Sequence, residues 1–160
     1  MTQPSSSSST LFSNQREANL VSIAAMIEDV LIELGHVVEK ARADFPECER
    51  AWRISKGSAT VEIALLARDD ENWLQVSASV MTPSSRSDTA ALWRKLLSLN
   101  YERASVACFA LRGDTVVIIG QRSTRDLDRG EVTTLIGTVS EDADEYDDLL
   151  IKQFGGRRGD

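Results

Sequence analysis

The sequence predicts an α+β protein with one antiparallel five-stranded sheet and helices, in the element order α-β-β-β-α-β-β-α. Three observations predict it: apolar residues recur at helical spacing in three segments, residues 52–81 alternate between apolar and polar, and two apolar runs flank Gly113-Asp114. Helices and strands do not strictly alternate, which disfavours a doubly wound parallel sheet. Strands with one apolar and one polar face are typical of antiparallel sheets.

The first helix is predicted to begin near Asn14 and to stop at Gly35. Asn14 and Glu17 have the spacing of a capping box, and glycine commonly ends helices. The apolar residues of one helix face are Leu20, Ile23, Ala24, Ile27, Val30, Leu31 and Leu34. Residues 36–48 show no clear period, and Pro46 marks a break there.

Three strands are predicted after this stretch, joined by short turns. The first contains Trp52 and Ile54, and it is followed by the turn at residues 56–58. The apolar positions of the second and third strands are Val61, Ile63, Leu65, Leu74, Val76, Ala78 and Val80. The polar residues 69–72 form the turn between them, and Pro83 ends the third strand.

The second helix is predicted to begin at Ser87 or Asp88 and to reach about Leu99. Its apolar residues form two neighbouring faces, and the candidate partner or dimer surface consists of Leu92, Trp93, Leu96 and Leu97. A helix on one sheet needs one apolar stripe, so the surplus predicts a two-fold homodimer. The alternative is a monomer in which Trp93 packs under residues 36–50.

Two central strands are predicted at residues 105–111 and 115–120, with a two-residue turn at Gly113-Asp114. Cys108 lies in the first of these runs and is expected to be a small buried hydrophobe.

The last helical region is predicted to open near Thr124 or Asp126 and to reach Phe154. Ser140 precedes two acidic residues like a fresh N-cap, so we expect two helices or one helix kinked near Ser140. Residues 1–13 are predicted to be a disordered Ser-rich tail and residues 155–160 a flexible tail. Residues 14–154 then form a single α+β domain.

Composition and net charge argue against several classes of function. The chain has 160 residues, of which 42% are hydrophobic and 27% charged, as expected for a globular domain. Its net charge of −7 predicts no nucleic-acid partner and disfavours anionic membranes. No apolar run approaches the ~20 residues of a membrane-spanning helix. The start lacks the pattern of a secretory signal, so the predicted localisation is cytoplasmic.

Catalytic and metal-binding patterns are missing from the sequence. His36 is the only histidine, so a Ser/His/Asp, Cys/His or zinc centre would lack spaced partners. No glycine-rich phosphate loop occurs either. We therefore predict no catalytic residue, no metal, no cofactor and a protein that is not an enzyme.

An acidic run near the end is the strongest local charge feature. The candidate acidic patch consists of Asp142, Asp144, Glu145, Asp147 and Asp148. The run lacks the glycine and terminal glutamate of a calcium loop. It is either a solvated helix face or a patch for a basic partner segment. Arg122, Arg125 and Arg129 precede it, and they either bind an anion or pair with nearby acids.

Two segments resemble a known family. Residues 92–100, placed before a strand hairpin, and residues 143–150, with the sequence ADEYDDLL, are similar to the YbjN-like bacterial proteins. These proteins share the type III secretion chaperone-like fold of the CesT-type chaperones. The resemblance covers about residues 14–154. It implies a binding or regulatory role and brings no catalytic residues.

Three functions follow from these observations. The first is a non-enzymatic protein-binding module, chaperone-like or a regulatory adaptor, whose partner is a protein with a basic or partly unfolded segment. The second is a sensor that holds a small-molecule ligand between sheet and helices. The third is a small enzyme that uses carboxylates with a metal.

Overall fold

A computed structural model describes residues 7–69 and 71–159, with side chains described from residue 14 onward. The helices are α1 (Ser7–Glu33), α2 (Val38–Ala41), α3 (Thr89–Arg103) and α4 (Arg129–Phe154). The strands are β1 (Arg42–Ala43), β2 (Arg50–Lys56), β3 (Ala59–Arg68), β4 (Glu71–Thr82), β5 (Cys108–Arg112), β6 (Thr115–Ser123) and β7 (Arg157–Arg158).

The α+β class and the antiparallel sheet are confirmed, but the predicted number of strands is wrong. The described residues form a seven-stranded sheet in the order β1-β2-β3-β4-β6-β5, and β7 pairs with β4. The two additional strands, β1 and β7, have two residues each. A two-residue strand is too short to show an alternating pattern in the sequence. It forms because a neighbouring strand pairs with it. The short helix α2 also adds an element to the predicted order.

The helices cover one face of the sheet. Alternate strand residues such as Trp52, Ile63, Leu74 and Ile118 join one core with buried residues of α1, α3 and α4. The opposite face carries the other alternate residues. Its central row, in register across the strands, consists of Arg53, Glu62, Ser77, Ile119 and Cys108.

Helix α1 begins at Ser7, so residues 7–13 of the predicted tail are helical; residues 1–6 lie outside the described part. Asn14 is therefore inside the helix and is not its N-cap. The predicted stop at Gly35 is confirmed. Gly35 has φ +87° and donates its N–H to Ile32 O at 2.9 Å, and His36 N donates to Leu31 O at 2.9 Å. These two bonds form a Schellman motif.

Helix α4 is a single helix. It begins at Arg129 and not at Thr124 or Asp126, the two predicted starts. Asp128 is the N-cap: its Oδ1 accepts from Glu131 N at 2.8 Å, and Glu131 Oε2 accepts from Asp128 N at 3.2 Å. Ser140 does not cap a second helix, because its Oγ donates to Ile136 O at 2.6 Å inside the helix. Such a bond to the preceding turn is an alternative to capping for serine.

The residues after α4 also differ from the predicted flexible tail. Arg157 lies opposite Thr82 and Arg158 opposite Met81 in the pairing of β7 with β4. Gly155 and Gly156 have φ angles of +73° and +109°, and they turn the chain back towards the sheet. Asp160 lies outside the described residues.

The edge strand β5 is fastened to α3 by one side chain. Asn100 Nδ2 donates to Phe109 O at 3.1 Å, and Phe109 N donates to Asn100 Oδ1 at 2.7 Å. The second helix was predicted to reach about Leu99, but α3 continues to Arg103, and Ala104 takes the left-handed conformation. The Asn100 amide instead hydrogen-bonds the backbone N–H and C=O of Phe109 at the edge of the sheet. Unpaired backbone groups of an edge strand can otherwise pair with another chain.

We expect Asn100→Ala to lower the free energy of unfolding by about 1–3 kcal/mol, because the buried backbone of Phe109 loses two partners. Urea unfolding followed by circular dichroism measures the change. Asn14→Ala, at an exposed position of α1, is the control. A loss at Asn100 no larger than at Asn14 would contradict the role given to the amide.

Candidate functional site

A groove lies between α1 and the sheet edge formed by β1 and β2. Its volume is about 620 Å³. One wall is α1, and the other is β2 with the loop that joins it to β1. The lining residues are Val21, Ala24, Ala25, Glu28, Arg42, Ala43, Asp44, Phe45, Cys48, Glu49, Arg50, Ala51 and Trp52.

The helix wall of the groove is a second apolar stripe on α1. Ile23, Ile27 and Leu31 face the core and are at most 4% exposed. Val21, Ala24 and Ala25 lie beside that stripe at helical spacing, and Val21 is 59% exposed. An exposed β-branched apolar side chain beside a groove is available for contact with a partner.

Glu28 fixes the floor of the groove. Arg42 donates to it through Nε at 2.8 Å and Nη2 at 2.9 Å, and Trp52 Nε1 donates to its Oε1 at 3.2 Å. The hydrogen bonds from Arg42 are the main reason that the pKa of Glu28 is lowered, and partial burial opposes them. The fork-shaped pair ties the two-residue strand β1 to α1.

Glu28→Gln should destabilise the protein by about 1 kcal/mol at pH 7, because charge-assisted hydrogen bonds become neutral ones. The pKa of Glu28 lies below its ordinary value of 4.5 in the folded protein. Its contribution is therefore complete above pH 4.5 and disappears as the pH falls through the lowered folded value. Urea unfolding of both proteins between pH 3 and 7 measures the difference, and a difference independent of pH would contradict the pairing.

Cys48 is not an activated nucleophile. Burial, and then the nearby acids Glu47, Glu62 and Asp44, raise the pKa of Cys48, which keeps its thiol protonated. The prediction that Cys108 is buried is wrong, because Cys108 lies on the sheet face opposite the helices and is exposed. No group of three or more His, Cys, Asp or Glu in the described part of the chain could hold a metal ion.

The predicted surface on the second helix is mostly internal. Leu92 and Leu96 are 0% and 5% exposed, and Trp93 packs partly buried against the core. Leu97 is 69% exposed, and Tyr101, one turn further on, is 88% exposed. A shallow depression of about 610 Å³ on this outer face is lined by Ala90, Arg94, Leu97, Ser98, Tyr101 and Glu102. Sequence reasoning missed Tyr101, although it follows Leu97 at helical spacing.

The acidic run is tied to other elements of the fold. Asp142 pairs with Arg103, and Asp144 Oδ1 accepts from Ser58 N at 2.9 Å. Asp147 Oδ2 accepts from Ser58 Oγ at 2.5 Å and lies 3.0 Å from Arg158 Nε. Asp148 Oδ1 lies 2.5 Å from Arg158 Nη2. Glu145 is exposed, so only part of the candidate patch faces solvent freely.

Within residues 7–69 and 71–159, two of the three arginines before the run pair with acids. Arg129 Nη2 lies 2.5 Å from Glu33 Oε1, and Arg125 pairs with Glu71. These contacts favour the pairing interpretation over an anion site.

An α+β domain with an apolar groove at a sheet edge is a scaffold for binding extended chain segments. Residues 22–159 match the family described as T3SS (YopN, CesT) and YbjN peptide-binding chaperone 1, and the chain belongs to this family. The resemblance seen in the sequence is thereby confirmed. Membership places the chain among proteins that bind other polypeptides.

Solved structures of similar fold include two protein complexes. The crystal structure of the ExsC-ExsE complex matches with a TM-score of 0.57 and 14% identity, over 81% of this chain and 94% of that chain. The HopA1-SchA chaperone-effector complex matches with a TM-score of 0.56 and 10% identity, over 82% and 97%. At such identities the likeness shows the fold. A comparison with curated proteins found no match. No helix in the described part of the chain is long and apolar enough to cross a bilayer.

Proposed function

We propose that this protein is a peptide-binding chaperone that holds an unfolded segment of a protein partner in the groove between α1 and the β1–β2 edge. The observation that carries the proposal is the exposed apolar stripe of α1 facing this groove in a member of a peptide-binding family. The absence of catalytic patterns in the sequence agrees with it.

The lining of the groove defines the partner's chemistry. Val21, Ala25 and Phe45 offer apolar contact to alternate or helically spaced apolar side chains of a peptide. The loop at the rim carries exposed acids at Asp44, Glu47 and Glu49. The preferred segment is therefore amphipathic, with basic residues beside its apolar ones.

Ala25→Arg should weaken peptide binding, because a long charged side chain fills the groove from its helix wall. Phage-displayed random 15-residue peptides are selected on the wild-type protein, and the dissociation constants of enriched peptides are measured by fluorescence anisotropy. We expect at least a tenfold weaker affinity for Ala25→Arg.

Ala91→Arg is the matched control for this substitution, since Ala91 is an exposed alanine on α3, outside the groove. It should bind the selected peptides as the wild type does. The groove proposal fails if no peptide is enriched, or if the two arginine variants bind equally.

We also propose that the protein is a homodimer through the outer face of α3. Leu97 and Tyr101 give this face an exposed apolar centre, flanked by Arg94 on one side and Glu102 on the other. In a two-fold antiparallel pair of helices centred at Ser98, Arg94 of one copy lies opposite Glu102 of its partner. The small side chain of Ser98 permits close approach at the axis.

Arg94→Glu should raise the dissociation constant of this dimer at least tenfold, because it places like charges opposite each other. Arg94→Glu combined with Glu102→Arg should restore dimerisation. Lys95→Glu changes the charge equally but lies beside the depression, so it should have little effect. Analytical ultracentrifugation at micromolar concentration measures the dimer. A monomeric wild type, or equal effects at residues 94 and 95, would refute the proposed interface.

A further inference from the structure

The residues that follow α4 occupy a place in the sheet beside the end of β4. On this side of β4, the pairing with β3 ends at Val61 and Ala78. Beyond it, Met81 pairs with Arg158 and Thr82 with Arg157, and Gly159 N donates to Val80 O at 3.3 Å. The end of β4 thus offers a strand slot, defined as the edge at Met81–Thr82, that β3 leaves open.

Two carboxylates beside the slot, those of Asp147 and Asp148, bind the guanidinium of Arg158. Arg158 Nε lies 3.0 Å from Asp147 Oδ2, and its Nη2 lies 2.5 Å from Asp148 Oδ1. Asp147 is 2% exposed and also accepts a hydrogen bond from Ser58 Oγ at 2.5 Å. Ser58 therefore also helps to hold this carboxylate in place. The two acids also raise the pKa of Arg158.

At two positions of the resident segment, Gly156 and Gly159, no side chain larger than that of glycine fits. A Cβ on Gly156 would lie 2.4 Å from Thr82 O, and one on Gly159 would lie 2.5 Å from Ser79 Cβ. Gly156 also has φ +109°, a conformation that favours glycine. The strand slot therefore fits an arginine with a glycine two positions before it and a second glycine directly after it.

The resident segment is short and lies at the surface. Its strand has two residues, and the side chain of Arg158 is 50% exposed. Residues 155–158 are exposed, and glycines regain much conformational freedom when released. Segments with few buried contacts open locally without global unfolding.

We propose that the strand slot is an interchangeable binding site, in which residues 155–159 are displaced by an extended segment of a partner protein that carries an arginine between two glycines. The backbone of β4 pairs with the incoming segment. Asp147 and Asp148 select its arginine, and the positions of Gly156 and Gly159 exclude larger side chains. This site lies outside the groove of the proposed function and does not depend on it.

The test uses the full chain with the substitution Arg158→Glu, which expels the resident strand by repulsion from Asp147 and Asp148. The probe is the capped peptide Gly-Gly-Arg-Arg-Gly, titrated while the amide NMR signals of Met81 and Thr82 are recorded. We expect saturable shifts at these residues, with half-saturation at a concentration at least tenfold lower than for the wild type. Gly156→Ala opens the slot by a different route and should behave in the same way.

Two matched peptides test the selectivity. A peptide with glutamate in place of the second arginine, and one with alanine in place of the glycine before the arginines, should bind at least tenfold more weakly. Adding Ala25→Arg to Arg158→Glu should leave the titration unchanged, which separates this site from the groove. The proposal is overturned if neither opened variant binds more tightly than the wild type, or if all three peptides bind alike.

Discussion

Leu92→Ala is expected to lower the free energy of unfolding by about 2–5 kcal/mol, the range measured for buried leucines. Leu92 is 0% exposed and joins α3 to the main core, so truncation leaves a cavity under the helix. Leu97→Ala is the matched control on the same helix. Because Leu97 is 69% exposed, its truncation should change the stability by less than about 0.5 kcal/mol.

Urea unfolding at submicromolar protein concentration measures both leucine variants while limiting any contribution from self-association. Equal losses at Leu92 and Leu97 would show that α3 does not pack with the face described here. The same pair separates the core role of Leu92 from the proposed dimer surface, to which only Leu97 belongs.

Arg103→Ala is expected to cost about 3–5 kcal/mol, because it leaves a buried carboxylate without its ion-pair partner. Asp142 is 6% exposed, and its Oδ2 has no hydrogen-bond partner among the described residues. The hydrogen bond that Arg103 donates to Asp142 is the main reason that the pKa of Arg103 is raised. Arg103 also lies over the ring of Tyr146, 5.3 Å from its centroid.

A double-mutant cycle with Asp142→Ala tests this explanation of the Arg103 effect. Removing both side chains also removes the buried charge, so the double variant should be more stable than Arg103→Ala alone. A double variant that loses the sum of the two single effects would show that the residues act independently. Urea unfolding at pH 7 supplies all four free energies.

Local patterns in the sequence were sufficient to predict much of the sheet and the end of α1 at Gly35. The alternation of Val61, Ile63 and Leu65 with polar residues predicted which side chains of β3 face the helices, and these three are 0% exposed. Gly113-Asp114 predicted the hairpin turn, which Arg112 and Thr115 close as a pair. These features depend on residues close together in the chain, so a short window contains their cause.

The candidate sites could be predicted only in part. The acidic run and the apolar face of the second helix stand out as patterns, but a pattern does not show what covers it. Arg103, Ser58 and Arg158 reach the acids from distant positions and tie Asp142, Asp144 and Asp147 to other elements. The groove beside α1 left no signal of its own, because its second wall comes from residues 42–52, whose pattern was irregular.

The sequence by itself therefore determined the fold class, the antiparallel strands of the central meander, the hairpin and the family resemblance. Only the tertiary structure decided that Leu92 is core while Leu97 is surface, that the run after Gly155 is a strand, and that β1 and the groove exist. The reason is physical: periodicity records which side of a segment is apolar, whereas burial and the pairing of two-residue strands depend on segments far away in the chain.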